Sequence, residues 1–159
     1  MVDYTKKYRR KRRKYEVKGK TYFKYPNKYY YTDIGLRNAR LDYRQYDPGH
    51  IMENIIYNEL LRRGYSVDVG VVADRNGGAN VQKEIDFVVN DADKKIYIQS
   101  AFQIDTAKKE SSGLASLMLT KDFFKKIIVR MDIPHNFYDD NGIFHCNLID
   151  LLLGRVELF

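Results

Sequence analysis

The 159-residue chain is predicted to be an α/β (α+β) protein, with a mixed central sheet flanked by helices and preceded by a short β-hairpin. Three observations carry that expectation. A capped amphipathic helix is written into 47–64, several β-prone runs follow it, and two of those runs are joined by a polar turn of hairpin length. A composition 44% hydrophobic and 31% charged suits a single domain with a real core.

The elements follow in chain order. The segments "YEVKGKTYF" (15–23) and "NKYYYTDIGL" (27–36) are rich in Tyr, Val, Thr and Phe and are separated at Pro26-Asn27, so they read as two short strands of a small hairpin. Tyr29, Tyr30 and Tyr31 are then strand residues with one face packed. In "DPGHIMENIIYNELLRRG" (47–64), Asp47 is the expected N-cap, Pro48 the first helical residue, Arg62 and Arg63 the last turn, and Gly64 the stop. At 100° per residue Ile51, Met52, Ile55, Ile56 and Leu60 form one apolar arc. Glu59 falls in the middle of that arc and Glu53 at its edge, where carboxylates serve either a site or an ion pair.

Strands are expected at "YSVDVGVVA" (65–73), "VQKEIDFVVN" (81–90) and "IYIQSAFQ" (96–103), the last two forming an antiparallel hairpin across "NDADKK". "SSGLASLMLTKDF" (111–123) is helix-compatible, "FKKIIVRMD" (124–132) and "GIFHCNL" (142–148) are further strands, and "IDLLLG" (149–154) is a short terminal helix. The predicted order is a β-hairpin followed by α-β-β-β-α-β-β-α.

The net charge of +7 is a property of the N-terminus. Residues 1–20 hold ten Lys/Arg against Asp3 and Glu16, whereas the remainder holds 18 basic and 19 acidic residues. Such a block either stays solvated or makes salt-sensitive, sequence-independent contacts with nucleic-acid phosphates, with Tyr8 and Tyr15 available for stacking. The candidate phosphate-binding residues are Lys6, Lys7, Arg9, Arg10, Lys11, Arg12, Arg13 and Lys14. The N-terminus lacks the apolar stretch of a signal peptide, and no apolar run reaches bilayer length. With one cysteine, Cys146, there is no internal disulfide, and the expected compartment is the cytoplasm. Gly19-Lys20-Thr21 resembles the end of a phosphate-binding loop, but Lys14 stands where its first glycine belongs, so the chain is not itself an ATPase. His50, His135 and His145 have no metal-ligand spacing, and Cys146 lies in an apolar strand where packing is its expected role.

Period-two alternation places Glu84, Asp86 and Val88 on one strand face, opposite Ile85, Phe87 and Val89. On the next strand Tyr97, Gln99, Ala101 and Gln103 share a face. If the polar faces meet beneath the edge of the 47–64 helix, Glu53, Asp86 and Gln99 gather at one point.

That arrangement resembles the PD-(D/E)xK nuclease superfamily, in which a helix Glu and a strand Asp precede (D/E)-x-K on the next strand. More narrowly, "YYYTDIGLRNA", "GHIMENIIYNELLRRGYSVDVG", "KEIDFVVN", "KKIYIQSAF" and "HCNLIDLLL" resemble the C-terminal domain of unknown function of prokaryotic AAA-type ATP-binding proteins, over about residues 15–154. The resemblance implies a nuclease-like core at 46–159, a basic tail at 1–14, and at 15–45 a hairpin or linker remnant of an upstream module. It assigns Glu53 to the helix carboxylate, Asp86 to the central acid, Gln99 to the second acid and Ala101 to the lysine. Glu53 and Asp86 would be the metal ligands, with Mg²⁺ the cation such sites take. Gln99 offers Mg²⁺ only a neutral carbonyl, and Ala101 cannot stabilise developing charge, a loss worth about 10²–10³ in rate for one such group. The expectation is therefore a degenerate, non-catalytic nuclease-like domain of an ATPase system, acting in DNA binding or partner docking, without a membrane. The alternative is an active Mg²⁺-dependent DNA endonuclease with a migrated lysine from Lys83, Lys108 or Lys109. A regulatory module of a defence or toxin-antitoxin system has no direct support in the residues.

Overall fold

A computed structural model describes residues 9–12, 14–16, 28–74, 81–104 and 114–159. The β-branched and aromatic runs do become strands, and the capped segment becomes the main helix. In order they are β1 (Arg9–Arg12), β2 (Lys14–Glu16), β3 (Lys28–Tyr31), α1 (Ile34–Arg40), α2 (Pro48–Arg62), β4 (Ser66–Asp74), β5 (Val81–Asp91), β6 (Lys94–Ala101), β7 (Lys125–Arg130), β8 (Phe137–Tyr138), β9 (Phe144–Asn147) and α3 (Leu148–Leu152). One mixed sheet runs β2-β4-β5-β6-β7-β9-β8, and β1 pairs with β3 in a separate ribbon. The β4–β5, β5–β6 and β8–β9 pairs are antiparallel, while β2–β4, β6–β7 and β7–β9 are parallel. A parallel β6–β7 pair needs a crossover, and the connection contains a helical turn at 114–118.

Both sheet faces are covered. On the first, Met52, Ile56 and Leu60 of α2 and Leu151 of α3 pack on Val67, Phe87 and Ile98. On the second, Leu117 from the helical turn packs with Val72, Ile85, Val88, Tyr97 and Ile128. Fully burying one such side chain contributes about 1.5–3 kcal/mol, so these two layers are the main stabilising term. No helix among the described residues is long and apolar enough to cross a membrane.

The sequence expectations need four corrections. The partner of β3 is β1, in the register Arg9↔Tyr31 to Arg12↔Lys28, not the 15–23 segment. Of that segment only Tyr15 and Glu16 are described; they lie in β2, which pairs with β4, and the rest, with Gly19-Lys20-Thr21, lies outside the described residues. Ladder hydrogen bonds join backbone groups and are indifferent to side-chain charge, so a basic run can pair, and the backbone of Arg9–Arg12 is not simply solvated tail.

Second, the strand read over 27–36 stops at Tyr31, because the Asp33 side chain accepts from Leu36 N–H at 2.8 Å and caps α1. With no buried residue, α1 leaves no apolar periodicity to read. Third, the buried side of α2 is Met52, Glu53, Asn54, Ile56, Tyr57, Glu59 and Leu60, while Ile51 and Ile55 are only half-buried. The arc is rotated because α2 packs on β3 as well as on the sheet. Fourth, the two-residue β8 was not anticipated, since exposed Phe137 and Tyr138 show no alternation. The predicted helix over 111–123 is seen only as the turn 114–118, residues 111–113 lying outside the described residues.

Candidate functional site

The site begins with an irregularity in β5. Asp68 pairs with Val88 and Gly70 with Ile85, so one residue of β4, Val69, faces Asp86 and Phe87 together. This is a β-bulge, the device that re-aims a side chain at a strand's functional end. Its effect is visible in the core, where Ile85 and Val88 both join the second face while Phe87 joins the first. A Cβ on Gly70 would meet Val88 Cγ2 at 2.8 Å and Ile85 Cβ at 3.0 Å, so the absent side chain makes room for both. Strict alternation, which grouped Val88 with Asp86 opposite Phe87, is therefore corrected: the bulge sends Val88 to the other side and leaves Glu84 and Asp86 facing β3.

β3 reaches the site through α2. The Asn54 amide accepts from Tyr31 N–H and donates to Tyr31 C=O, both at 2.7 Å, and Asn58 donates to the same carbonyl at 3.0 Å. One side-chain amide thus supplies the donor and acceptor that a neighbouring strand would. Tyr30 stacks on Tyr57 at 4.1 Å and lies 6.0 Å from Phe87, which fixes β3 against the first face. Two residues earlier, and so on the same face, Lys28 enters the site.

Lys28 Nζ is 2.6 Å from Glu53 Oε1, 2.8 Å from Glu84 Oε1 and 3.6 Å from Asp86 Oδ1. Tyr30 O–H donates to the same Glu53 oxygen at 2.6 Å. The other Asp86 oxygen accepts from Gln99 Nε2 at 2.7 Å and from Ser100 N–H at 2.9 Å. Gln99 is held in turn by Ser116 Oγ at 3.4 Å. The structure thus brings Glu53, Asp86 and Gln99 together; Ala101, two residues along β6, carries no functional group into the cluster.

The electrostatics follow from burial. Burial pushes the Asp86 carboxyl up to about 7, helped by the charge of Glu53 and opposed by the Lys28 ammonium and the Ser100 N–H. For Lys28, burial disfavours the charged form, but the charges of Asp86 and Glu53 outweigh it and hold the ammonium above the ordinary lysine range. Burial, then the charge of Glu53, lifts the Tyr30 phenol above its usual value. The site is an ammonium inside a ring of carboxylates. Among the described residues no group of three or more His, Cys, Asp or Glu is arranged to hold a metal ion. The carboxylates converge on Lys28 Nζ, so a divalent cation held by Glu53 and Asp86 would have to share or displace that ammonium.

The remaining candidates separate from this centre. Glu59 is paired at 2.8 Å with both Arg62 and Arg63, and Arg63 continues to the carbonyl of Leu151, so this carboxylate ties α2 to α3. Lys83 is in register with Val72 and in phase with Ile85, on the second face away from Lys28. Lys108 and Lys109 lie outside the described residues, as do Lys6, Lys7 and Arg13. Arg9, Arg10, Lys11, Arg12 and Lys14 belong to β1 and β2. His145 is buried, stacked 4.6 Å from Phe137 and placed 3.4 Å from Asp139 Oδ2, far along the sheet on β9. Cys146 is buried in the first core cluster, and burial raises its thiol to about 11, consistent with packing rather than reactivity. The residues missed were Lys28, Glu84, Tyr30 and Asn54. One signal existed: Lys28 and Tyr30 share a strand face in "NKYYYT".

No family model matches the chain, and no solved structure matches it. It is 39% identical over 146 residues to a Haemophilus influenzae protein described as "Uncharacterized protein". The match takes in 90% of this chain and 33% of that protein, so the chain spans about a third of its relative's length.

Proposed function

We propose that the chain is a degenerate, non-catalytic domain with a PD-(D/E)xK nuclease-like core, acting in nucleic-acid binding for an AAA-type ATPase system. The observation that carries this reading is Lys28 Nζ within 2.6–3.6 Å of Glu53, Glu84 and Asp86. A cation supplied by the chain takes the position toward which the carboxylates point, and Gln99 and Ser100 satisfy the oxygen of Asp86 that remains. Such a site has its converging oxygens engaged by donors of the chain and keeps its architecture without a metal. The basic β1 beside β3 supplies the phosphate-binding charge, and the longer relative is consistent with a domain that works attached to further chain.

Lys28 also favours the second reading, an active Mg²⁺-dependent endonuclease, because an amine stands among the acids although it comes from β3 rather than from the position of Ala101. Supercoiled plasmid incubated with Mg²⁺ or Mn²⁺ separates the two. Under the first reading wild type and Asp86→Ala leave the plasmid intact. Lys28→Met, with its plug removed, then binds Mn²⁺ more tightly than wild type in calorimetric titration. Cleavage by wild type that Asp86→Ala and Lys28→Met both abolish would establish the second reading instead.

A further inference from the structure

Beside the carboxylate cluster lies a cavity of about 270 Å³ bounded by β3, α1 and the start of α2. Its floor is Lys28 and Glu53, an ion pair whose ammonium is shared with Glu84 and Asp86, and its walls include Tyr31, Ile34, Arg37 and His50. Among the described residues Arg37 commits only Nη1 to protein partners, at 2.9 Å from Asn38 Oδ1 and Gln45 C=O, leaving Nε and Nη2 as donors. Its guanidinium carbon sits 5.9 Å from the Tyr31 ring centroid, an arrangement that fixes the fork without consuming its charge. The nearby anions are accounted for. Asp33 caps α1, Asp47 caps α2 and lies 3.1 Å from His50 Nδ1, and Glu53 is held by Lys28 and Tyr30.

We infer that this pocket receives a single nucleoside-monophosphate unit, with the phosphate on Arg37 and the base against the tyrosine and isoleucine walls. The inference rests on the nucleic-acid reading above for its source, though not for its chemistry. Three observations select that ligand. The volume of about 270 Å³ falls just below the roughly 300–1,000 Å³ of small-ligand pockets, a size for one nucleotide and not for a duplex. A partly free guanidinium fork beside aromatic and branched walls matches a phosphate joined to a planar ring. Finally, the β1 backbone pairs antiparallel with the strand that walls the pocket, Arg9 opposite Tyr31 and Lys11 opposite Tyr29, so a basic stretch of sequence adjoins that strand. The unit arrives either as a free nucleotide or as the 5′-phosphorylated end of a single strand.

Fluorescence anisotropy with a short single-stranded oligonucleotide, with and without a 5′-phosphate, distinguishes these sources, with deoxythymidine 5′-monophosphate and inorganic phosphate as competitors. The expected result is roughly tenfold tighter binding of the phosphorylated strand. Arg37→Gln removes that increment and keeps the phosphate-independent remainder, while His50→Ala weakens it. Thermal melts establish that both variants are folded; His50, exposed at the rim, serves alone if Arg37→Gln is not. If no strand binds but deoxythymidine 5′-monophosphate binds in a separate calorimetric titration, the pocket stands and the strand-binding reading falls. Strands that bind equally with and without the phosphate, with no binding of deoxythymidine 5′-monophosphate by titration, sustain nucleic-acid binding and overturn the pocket. Competition by inorganic phosphate as strong as by the nucleotide overturns the nucleotide assignment, and absence of all binding overturns both.

Discussion

At the scale of single residues, Lys28 decides what the acidic cluster is. Removing one partner of a buried charge group leaves the others uncompensated, which costs about 3–5 kcal/mol. Lys28→Met is therefore expected to lower urea-unfolding stability by that order, with part of the loss recovered in Mn²⁺. Asp86 sets the pH response. Its folded pKa of about 7 lies above the ordinary 3.8, so between those values the folded chain holds a proton that the unfolded chain has released. Its contribution is favourable at low pH and is lost as pH rises through about 7. Lys28 stays charged throughout that window and does not offset the trend. Wild type should lose stability from pH 5 to 7.5, with a slope of up to about 1.4 kcal/mol per unit from this group. Asp86→Asn should flatten that slope in melts across the range. Gln99 reads differently in the structure than in the sequence. As a second acid it is a defect, yet its Nε2 donates to Asp86 at 2.7 Å, so Gln99→Glu sets two carboxylates against each other and requires a proton or metal between them. Glu53, Asp86 and Gln99 were legible because each lies in a patterned element. Lys28 was not, because its partners Glu53, Glu84 and Asp86 lie on α2 and β5 and no local pattern records the pairing.

Among the elements, α2 was the most legible. Asp47, Pro48 and Gly64 mark its ends, and the backbone at Gly64 has φ +87°. Its polar contents were less so, since periodicity cannot say that Asn54 imitates a strand or that Glu59 ends in a guanidinium pair. Glu59→Gln should cost about 1.5–3 kcal/mol, the value of a hydrogen bond to a charged group. The hydrogen bond from Arg62, then that from Arg63, holds the Glu59 carboxyl below its ordinary 4.5. Its contribution is present above that value and disappears as pH falls through the lower folded one, so the variant should lose the wild type's acid-side decline in a melting series. β5 was legible as a strand and misread as to its faces, because alternation assumes an unbroken ladder. Gly70 is the trace of the bulge. Gly70→Ala forces Ile85 or Val88 to move and should destabilise by about 1–3 kcal/mol, as overpacking does. A shift of the Asp86 carboxyl titration, followed by NMR, would show that the site moved with the bulge.

For the molecule as a whole, the antiparallel β5–β6 hairpin and the existence of strands at β4, β7 and β9 were anticipated, whereas the β4–β5 pairing and the parallel partners of β2, β7 and β9 were not, because those pairings leave no local pattern and the parallel ones link segments far apart in sequence. The tail shows how composition and structure divide. Its charge is plain in the sequence, but its pairing with β3 is not, so deleting it would remove a strand as well as a charge. Replacing Arg9, Arg10, Lys11 and Arg12 by Gln isolates the charge. If they neutralise phosphates, the slope of log affinity against log salt should become shallower by about 0.9 for each duplex-DNA phosphate no longer neutralised, and an unchanged slope would place the binding surface outside β1. Among the described residues the ribbon of β1 and β3 has no ladder to the seven-stranded sheet, and the Asn54 side chain holds the β3 backbone to α2. Native-state hydrogen exchange should therefore resolve it as a separate foldon, its amides exchanging through a partial opening that leaves β4, β5 and β6 closed. Lys28 would leave with it. Each such opening briefly uncovers three carboxylates, so the lifetime of the ribbon, rather than the affinity of a standing site, would set how fast a cation from solution is taken up.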